Sequence, residues 1–192
     1  MNNSAPSQSM LKRSYASAES MSETTEVPYG DQARATILIR ADRADVFRLF
    51  TEDIDQWWRR GMAYRIGKGR SVMHLEPRVG GALFERFDLR REGKDTGSEK
   101  VIQTGTVTVW EPPSRLCLEW RAVNFKPDEK TFVEVSFEER PSGTLVCVTH
   151  SGWSKIRADH PARHGDEVPK FLRDMGMWWG GLLMSLRART DA

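Results

Sequence analysis

The segment 168-VPKFLRDMGMWWGGLLMSL-186 decides the fold of this chain. Its apolar residues recur at spacings of three and four, which is the period of an α-helix with one apolar face. The residues of this stripe are Val168, Phe171, Leu172, Met175, Trp178, Leu182 and Leu186. The pattern predicts a helix of about twenty residues, and its apolar face needs a sheet to lie on.

Upstream of this helix the sequence has the texture of β-strands. Short runs rich in Val, Leu, Phe and Thr are separated by Gly, Pro and Ser turn residues. The predicted strands begin at Ala33 and continue at 72–76, 82–88, 101–110, 116–121, 131–138 and 145–150. Because short links join successive strands, antiparallel neighbours are expected. The sequence therefore predicts an α+β domain with a curved antiparallel sheet of about seven strands.

Two short helices are predicted between the first strand and the rest. Asp42 offers an N-cap oxygen to the first, and Ile54, Trp57 and Trp58 fall at helical spacing in the second. Adjacent helical residues point about 100° apart, so only one tryptophan of such a pair is expected to face fully inward. The segment 155–166 is charged, contains Pro161 and is predicted to be a loop or a broken helix.

Composition limits both the domain organisation and the classes of partner. Residues 1–32 form a Ser-rich segment that is expected to be disordered, which leaves residues 33–190 as one domain. The 29 basic and 27 acidic residues give a formal net charge of +2, which disfavours nucleic acid as a partner. No secretory signal and no bilayer-spanning segment are recognised, so a cytoplasmic protein without a membrane span is expected.

The side chains that commonly hold metals or cofactors have unfavourable spacing. Cys117 and Cys147 lack CxxC or Cys/His spacing and are interpreted as free thiols, although a disulfide stays open if their strands are neighbours. His160 and His164 are four residues apart, but Pro161 interrupts any helix that would align them. We therefore expect no metal site. The sequence also lacks a Gly-rich loop that would bind the phosphates of a nucleotide, so no cofactor is expected.

The order of elements, a strand, two short helices, six strands and a long helix, resembles the helix-grip fold. The residues that carry this resemblance are Ala41-Asp42, Phe50-Thr51, Trp57-Trp58, Gly80-Gly81, Glu111-Pro112-Pro113-Ser114, Trp120 and His150-Ser151-Gly152-Trp153. In this order they resemble the SRPBCC (START-like) superfamily, and more narrowly its branch named after the C-terminal domain of the heat-shock protein 90 ATPase activator homologue. The resemblance implies a helix-grip fold that serves ligand carriers, chaperone regulators and enzymes.

A grip fold leaves space between sheet and helix, and such a pocket is typically apolar with a few polar groups. Period two places alternate residues of the last three predicted strands on one face, which we expect to point inward. The predicted ligand-binding residues are Trp57, Trp58, Trp120, Val135, Phe137, Val148, His150, Met175, Trp178 and Trp179. The charged strand residues Arg86 and Glu119 are expected to face outward, because a dry interior disfavours unpaired charge.

His150 is the candidate polar group of this pocket, since it ends an otherwise apolar strand face. It is either bonded to backbone at the strand end, an anchor for a ligand, or a general acid or base. Together with the apolar pocket and what the family resemblance implies, three functions stay open. The first is non-catalytic binding of a small hydrophobic or amphipathic molecule, the second is interaction with a chaperone or other protein in the stress response, and the third is a cyclase- or hydrolase-type enzyme.

Overall fold

The structure is a computed structural model that describes residues 30–58, 71–88, 99–121 and 124–190. Residues 1–29, which make up nearly all of the predicted N-terminal segment, lie outside the described residues. The first strand begins at Gln32, one residue before its predicted start. No helix within the described ranges is long and apolar enough to cross a membrane.

The described elements follow the predicted order. They are β1 Gln32–Ile39, α1 Arg43–Thr51, α2 Ile54–Trp57, β2 Ser71–Leu75, β3 Ala82–Asp88, β4 Glu99–Glu111, β5 Arg115–Trp120, β6 Thr131–Arg140, β7 Gly143–Ser151 and α3 Val168–Thr190. Two short 3₁₀ turns, Trp153–Lys155 and Pro161–Arg163, lie in the segment predicted as a loop or broken helix. The predicted α+β helix-grip fold is confirmed.

The seven strands form one sheet in the order β1-β7-β6-β5-β4-β3-β2, and every pairing is antiparallel. The first strand therefore pairs with the last, and β1 and β2 are the two edges. This order separates the two cysteines, because β6 lies between the strands of Cys117 and Cys147. The disulfide left open by the sequence is not formed, and both thiols are free.

The apolar core lies between the inner face of the sheet, α1 and α3. Helix α3 buries Trp179, Leu182, Leu183 and Leu186 against it. The strand alternation is as predicted, and the residues that turn inward and are buried are Leu116, Leu118, Trp120, Val133, Val135, Phe137, Val146, Val148 and His150. Arg86 is exposed and Glu119 is partly exposed, as expected for charged side chains on the outer face.

Two local expectations need correction. Asp42 occupies the N-cap position of α1, but its side chain makes no capping hydrogen bond. Trp57 and Trp58 are both buried, at 0% and 2% exposure, although helical geometry predicts only one inward-facing tryptophan. The reason is that α2 ends at Trp57 and that Trp58 has an extended backbone with ψ of 132°, which turns its side chain back toward the core.

Candidate functional site

Five tryptophans from three parts of the fold meet between the sheet and the helices. We call Trp57, Trp58, Trp120, Trp178 and Trp179 the tryptophan cluster. The Trp58 ring is at its centre, stacked on Trp120 at 6.0 Å between ring centroids and edge-on to Trp179 at 5.3 Å. It also contacts Trp57 at 5.2 Å and Trp178 at 6.2 Å. The structure thus brings together the aromatic residues that the sequence analysis selected.

The two tryptophans of α3 have different environments. Trp179 is fully buried, whereas Trp178 and the neighbouring Met175 are only half-buried at the border of the core. This difference is the one that helical geometry predicts for adjacent residues. Trp178 and Met175 therefore form the more accessible side of the tryptophan cluster.

The other predicted apolar residues form the interior behind the cluster. Val135 and Val148 are directly paired on β6 and β7, and both are fully buried. Phe137 lies toward α1, where its ring packs edge-on against Phe47 at 5.1 Å and Phe50 at 5.4 Å. These residues belong to the same core as the tryptophans, but Phe137 is placed against α1.

The indole nitrogens of the cluster differ in their hydrogen bonding. Trp57 donates its Nε1–H to the carbonyl of Leu49 at 3.0 Å, and Trp179 donates to His150. The Nε1–H of Trp58 is buried and has no acceptor among the described residues. A buried donor without a partner costs free energy comparable to a lost hydrogen bond, so such a group is uncommon in a folded protein. The centre of the cluster therefore holds one unused donor.

His150 is held by hydrogen bonds on both ring nitrogens. Trp179 Nε1–H donates to Nδ1 at 3.2 Å, and because an indole only donates, Nδ1 must be the acceptor. Nε2 then carries the proton and donates to the hydroxyl oxygen of Thr131 at 2.9 Å. The Thr131 hydroxyl donates in turn to the carbonyl of Trp120 at 3.4 Å. These hydrogen bonds form a continuous chain from the Trp179 indole to the Trp120 carbonyl. The partners of His150 are thus side chains, and not the backbone group that was one of the predicted alternatives.

This environment keeps the imidazole neutral. His150 is 1% exposed, and the described rings around it belong to Trp120, Trp153 and Trp179. Burial disfavours the charged form and lowers the pKa of His150 from 6.5 to about 3. A neutral imidazole with both nitrogens engaged has no free position for proton transfer to a substrate.

Glu85 is a polar residue of the interior that the sequence analysis did not select. It is 1% exposed on the inner face of β3, where its carboxylate accepts a short hydrogen bond from the Ser71 hydroxyl of β2. The signal was present in the sequence, because Glu85 alternates in step with the buried Leu83 and Phe87. Within the described ranges, no group of three or more His, Cys, Asp or Glu side chains is arranged to hold a metal.

Sequence comparison places this geometry in a family. The family model described as "Activator of Hsp90 ATPase homolog 1-like protein" matches residues 40–175, which is more than half of the chain. The chain belongs to this family. The AHSA1-like match begins directly after β1 and ends within α3. It therefore includes Trp57, Trp58 and Trp120 of the tryptophan cluster, while Trp178 and Trp179 lie just beyond it. The predicted heat-shock protein 90 ATPase activator branch of the SRPBCC superfamily is confirmed.

Solved structures of proteins from other organisms show the same fold. A protein from Mesorhizobium loti is 18% identical with a TM-score of 0.54, over 83% of this chain and 96% of that chain. An AHSA1-like protein from Aeromonas hydrophila is 18% identical with a TM-score of 0.52, over 83% and 92%. The Aha1 dimer from Colwellia psychrerythraea is 18% identical with a TM-score of 0.50, over 81% and 92%. At this identity the likeness shows the fold alone.

A search of curated proteins found no match to the chain.

Proposed function

We propose that this AHSA1-like domain binds a small, mainly apolar molecule that carries a hydrogen-bond acceptor, at the tryptophan cluster and without covalent catalysis. The observation that carries the proposal is the buried Nε1–H of Trp58, which has no acceptor among the described residues. A ligand carbonyl, ether or carboxylate oxygen beside Trp58 would satisfy this donor. The surrounding indole rings would supply apolar contact and edge-to-face packing.

In this proposal, the ligand enters the tryptophan cluster from its half-buried side. The rings of Trp57, Trp58, Trp120 and Trp179 are nearly or fully buried and fill the interior, so a ligand has to move a side chain aside. Trp178 and Met175 are the residues that can move at least cost, because they are only half-buried. Side chains at such a border change rotamer readily on binding, whereas the buried backbone stays in place.

The non-catalytic part of the proposal rests on His150. Its two nitrogens are engaged by Trp179 and Thr131, and burial keeps the ring neutral. This arrangement supports a role in holding the inner faces of β6, β7 and α3 together. It gives no support to a cyclase- or hydrolase-type acid–base reaction at this histidine.

Tryptophan fluorescence and thermal-shift screening of the full chain against lipid, aromatic and polyketide-like compounds test the proposal. Saturable quenching with a rise in melting temperature is expected for ligands with an oxygen acceptor. In Trp58→Phe, which keeps a ring but loses the donor, such ligands are expected to bind about tenfold more weakly.

The matched control is Trp57→Phe, because its indole N–H already has the carbonyl of Leu49 as acceptor. Equal weakening in both variants would assign the loss to ring size and not to the donor. Absence of binding by every compound class would refute a ligand site at the cluster.

A second candidate function is interaction with a chaperone or another protein in the cytoplasm. The family description, which refers to activation of the Hsp90 ATPase, favours it. So do two exposed methionines on the outer side of α3, Met177 and Met184, at 65% and 60% exposure. The test is the ATPase rate of purified Hsp90 with and without this protein. A higher rate, reduced in the Met177→Glu and Met184→Glu variants, would support the chaperone interaction. An unchanged rate would count against this function.

A further inference from the structure

The outer face of the sheet, which points away from α3 and the tryptophan cluster, contains a depression. Its floor is formed by side chains of three neighbouring strands, because Cys117 on β5 lies opposite Glu134 on β6, and Glu134 lies opposite Thr149 on β7. These side chains alternate with the buried residues of the same strands, so they belong to the outer face. The space above them measures about 370 Å³, a volume within the range of small-molecule pockets. We call it the outer pocket.

Two irregularities of the backbone shape the outer pocket. A bulge on β4 places two successive residues, Thr108 and Val109, along one wall. At the opposite end, Gly152 has φ of +91°, a left-handed conformation that glycine adopts without strain. The chain turns there from β7 into the 3₁₀ turn Trp153–Lys155, and this turn brings Lys155 to the rim of the pocket. An apolar wall and a lysine thus border the same space.

Several apolar groups line the outer pocket. Phe132 is 38% exposed there and is the most exposed Phe or Trp side chain among the described residues. Burial raises the pKa of the Cys117 thiol, so this group is uncharged at neutral pH and offers an apolar contact. Val109 and the methyl group of Thr149 lie alongside. An aromatic ring of a ligand can therefore pack on Phe132 while the rest of its body contacts apolar atoms.

Of the three charged side chains that line the outer pocket, two already have partners. The carboxylate of Glu134 accepts from Arg115 Nε at 2.9 Å. The two carboxylate oxygens of Asp31 accept from the backbone N–H of Ser154 at 2.8 Å and from its hydroxyl at 2.6 Å. Lys155 is exposed and forms no ion pair within the described ranges. The unpaired charge at the rim is therefore positive, which favours an anionic group on the ligand.

We propose that the outer pocket binds a small aromatic carboxylate, whose ring packs on Phe132, Cys117 and Val109 and whose carboxylate pairs with Lys155. The ring contact supplies most of the affinity, and the ammonium group of Lys155 supplies a charge-assisted hydrogen bond that orients the ligand. The outer pocket lies on the opposite face of the sheet from the tryptophan cluster. This second site therefore goes beyond the function proposed above and does not depend on a ligand at the cluster.

The test is an NMR titration of the full chain, labelled with ¹⁵N, with naphthoate as the probe. Saturable shifts are expected at the backbone amides of Cys117, Phe132 and Thr149, which line the outer pocket. The indole N–H signals of the tryptophan cluster report separately on binding at the other site. Naphthylmethanol, which has the same rings without the charge, is expected to bind about fivefold more weakly, because an exposed ion pair contributes little.

Three variants examine the parts of the proposal. Lys155→Met keeps a long side chain but loses the charge, so the preference for naphthoate over naphthylmethanol should disappear. Its control is Lys170→Met on α3, which removes a lysine that pairs with Asp166 and Asp174 and should leave the preference intact. Cys117→Phe places a ring in the pocket and should block both probes. If this variant does not fold, Phe132→Thr, at an exposed position, should weaken both probes at least about fivefold.

Three results would overturn the proposal. Equal affinity for naphthoate and naphthylmethanol in the unmodified protein would remove the role of Lys155. Shifts confined to the indole N–H signals of the tryptophan cluster would show that aromatic carboxylates bind only there. Shifts of the Cys117 and Phe132 amides that depend on protein concentration without any probe would make a second copy of this chain the occupant of the outer pocket.

Discussion

The indole N–H of Trp179 donates to Nδ1 of His150 over 3.2 Å, and this bond determines which nitrogen of the buried imidazole carries the proton. It also joins α3 to β7 at the centre of the core. The hydrogen of Nε2 is directed to Thr131 on β6, so one histidine ties together a helix and two strands. Loss of either partner leaves a buried polar group unpaired.

The pH dependence of stability should report the neutral state of His150. Its folded pKa of about 3 lies below its ordinary 6.5, so the unfolded chain binds more protons between these values. The contribution is complete above pH 6.5 and is lost as pH falls toward about 3. Below pH 6 it should add a slope approaching 1.4 kcal/mol per pH unit, or about one proton, to the free energy of unfolding.

Urea unfolding at several pH values between 7 and 4 measures this slope. The matched variant is His150→Leu, which cannot titrate and should be less stable at pH 7 but less sensitive to acid. Equal slopes in the two proteins would mean that the imidazole is already charged in the folded state.

Thr131→Val removes the acceptor of the His150 Nε2–H with almost no change in shape. Because Thr131 is fully buried, no water replaces the lost oxygen, and the free energy of unfolding should fall by about 1–3 kcal/mol. The control is Thr36→Val on the exposed outer face of β1, which should change stability by less than about 0.5 kcal/mol. Similar effects of both substitutions would show that the Thr131 hydroxyl is not needed by the histidine.

The adjacent tryptophans of α3 should respond differently to the same substitution. Trp179→Phe leaves Nδ1 of His150 without a donor and opens space in a fully buried position, so a loss of about 2–4 kcal/mol is expected. Trp178→Phe, at the half-buried side of the cluster, should cost less than about 1.5 kcal/mol. Chemical denaturation of the two single variants decides the order, and a larger loss for Trp178 would contradict this description of the cluster.

Two glycines give opposite predictions for substitution by alanine. Gly143, the first residue of β7, has φ of +132°, and a Cβ there would lie 2.1 Å from the carbonyl oxygen of Ile39. Gly143→Ala should therefore destabilise the protein by at least about 3 kcal/mol or prevent folding. Gly180→Ala meets no atom within 4 Å and improves helix propensity, so it should add up to about 1 kcal/mol. Thermal melts of the two variants should shift in opposite directions.

Strand alternation made the inner face of the sheet predictable. Every second residue is buried along the strand segments that start at Leu116, Val133 and Val146. The reason is that side chains of a strand alternate with a period of two wherever no bulge intervenes. The irregularity between Val107 and Val109 on β4 marks the limit of this rule. The extra residue of this bulge changes which side chains face inward. The local sequence gives no signal that predicts the bulge.

The tryptophans and His150 selected from the sequence lie together in the structure, but their hydrogen bonds could not be predicted from the sequence. The tryptophans are recognisable because they are large aromatic residues within apolar helix and strand patterns. His150 is recognisable because it ends an otherwise apolar strand face. The chain from Trp179 through His150 to Thr131 joins residues far apart in sequence, so their hydrogen bonds depend on strand order and helix placement. Trp58 illustrates the same point, since its inward turn follows from the end of α2 one residue earlier.

The sequence by itself determined the α+β class, the order of elements and the apolar faces, because periods of two and 3.6 residues are local properties of the chain. Only the tertiary structure decided that β6 separates Cys117 from Cys147 and that Glu85 is buried against Ser71. These features depend on which distant segments become neighbours, and that is settled by packing the whole sheet and helix together.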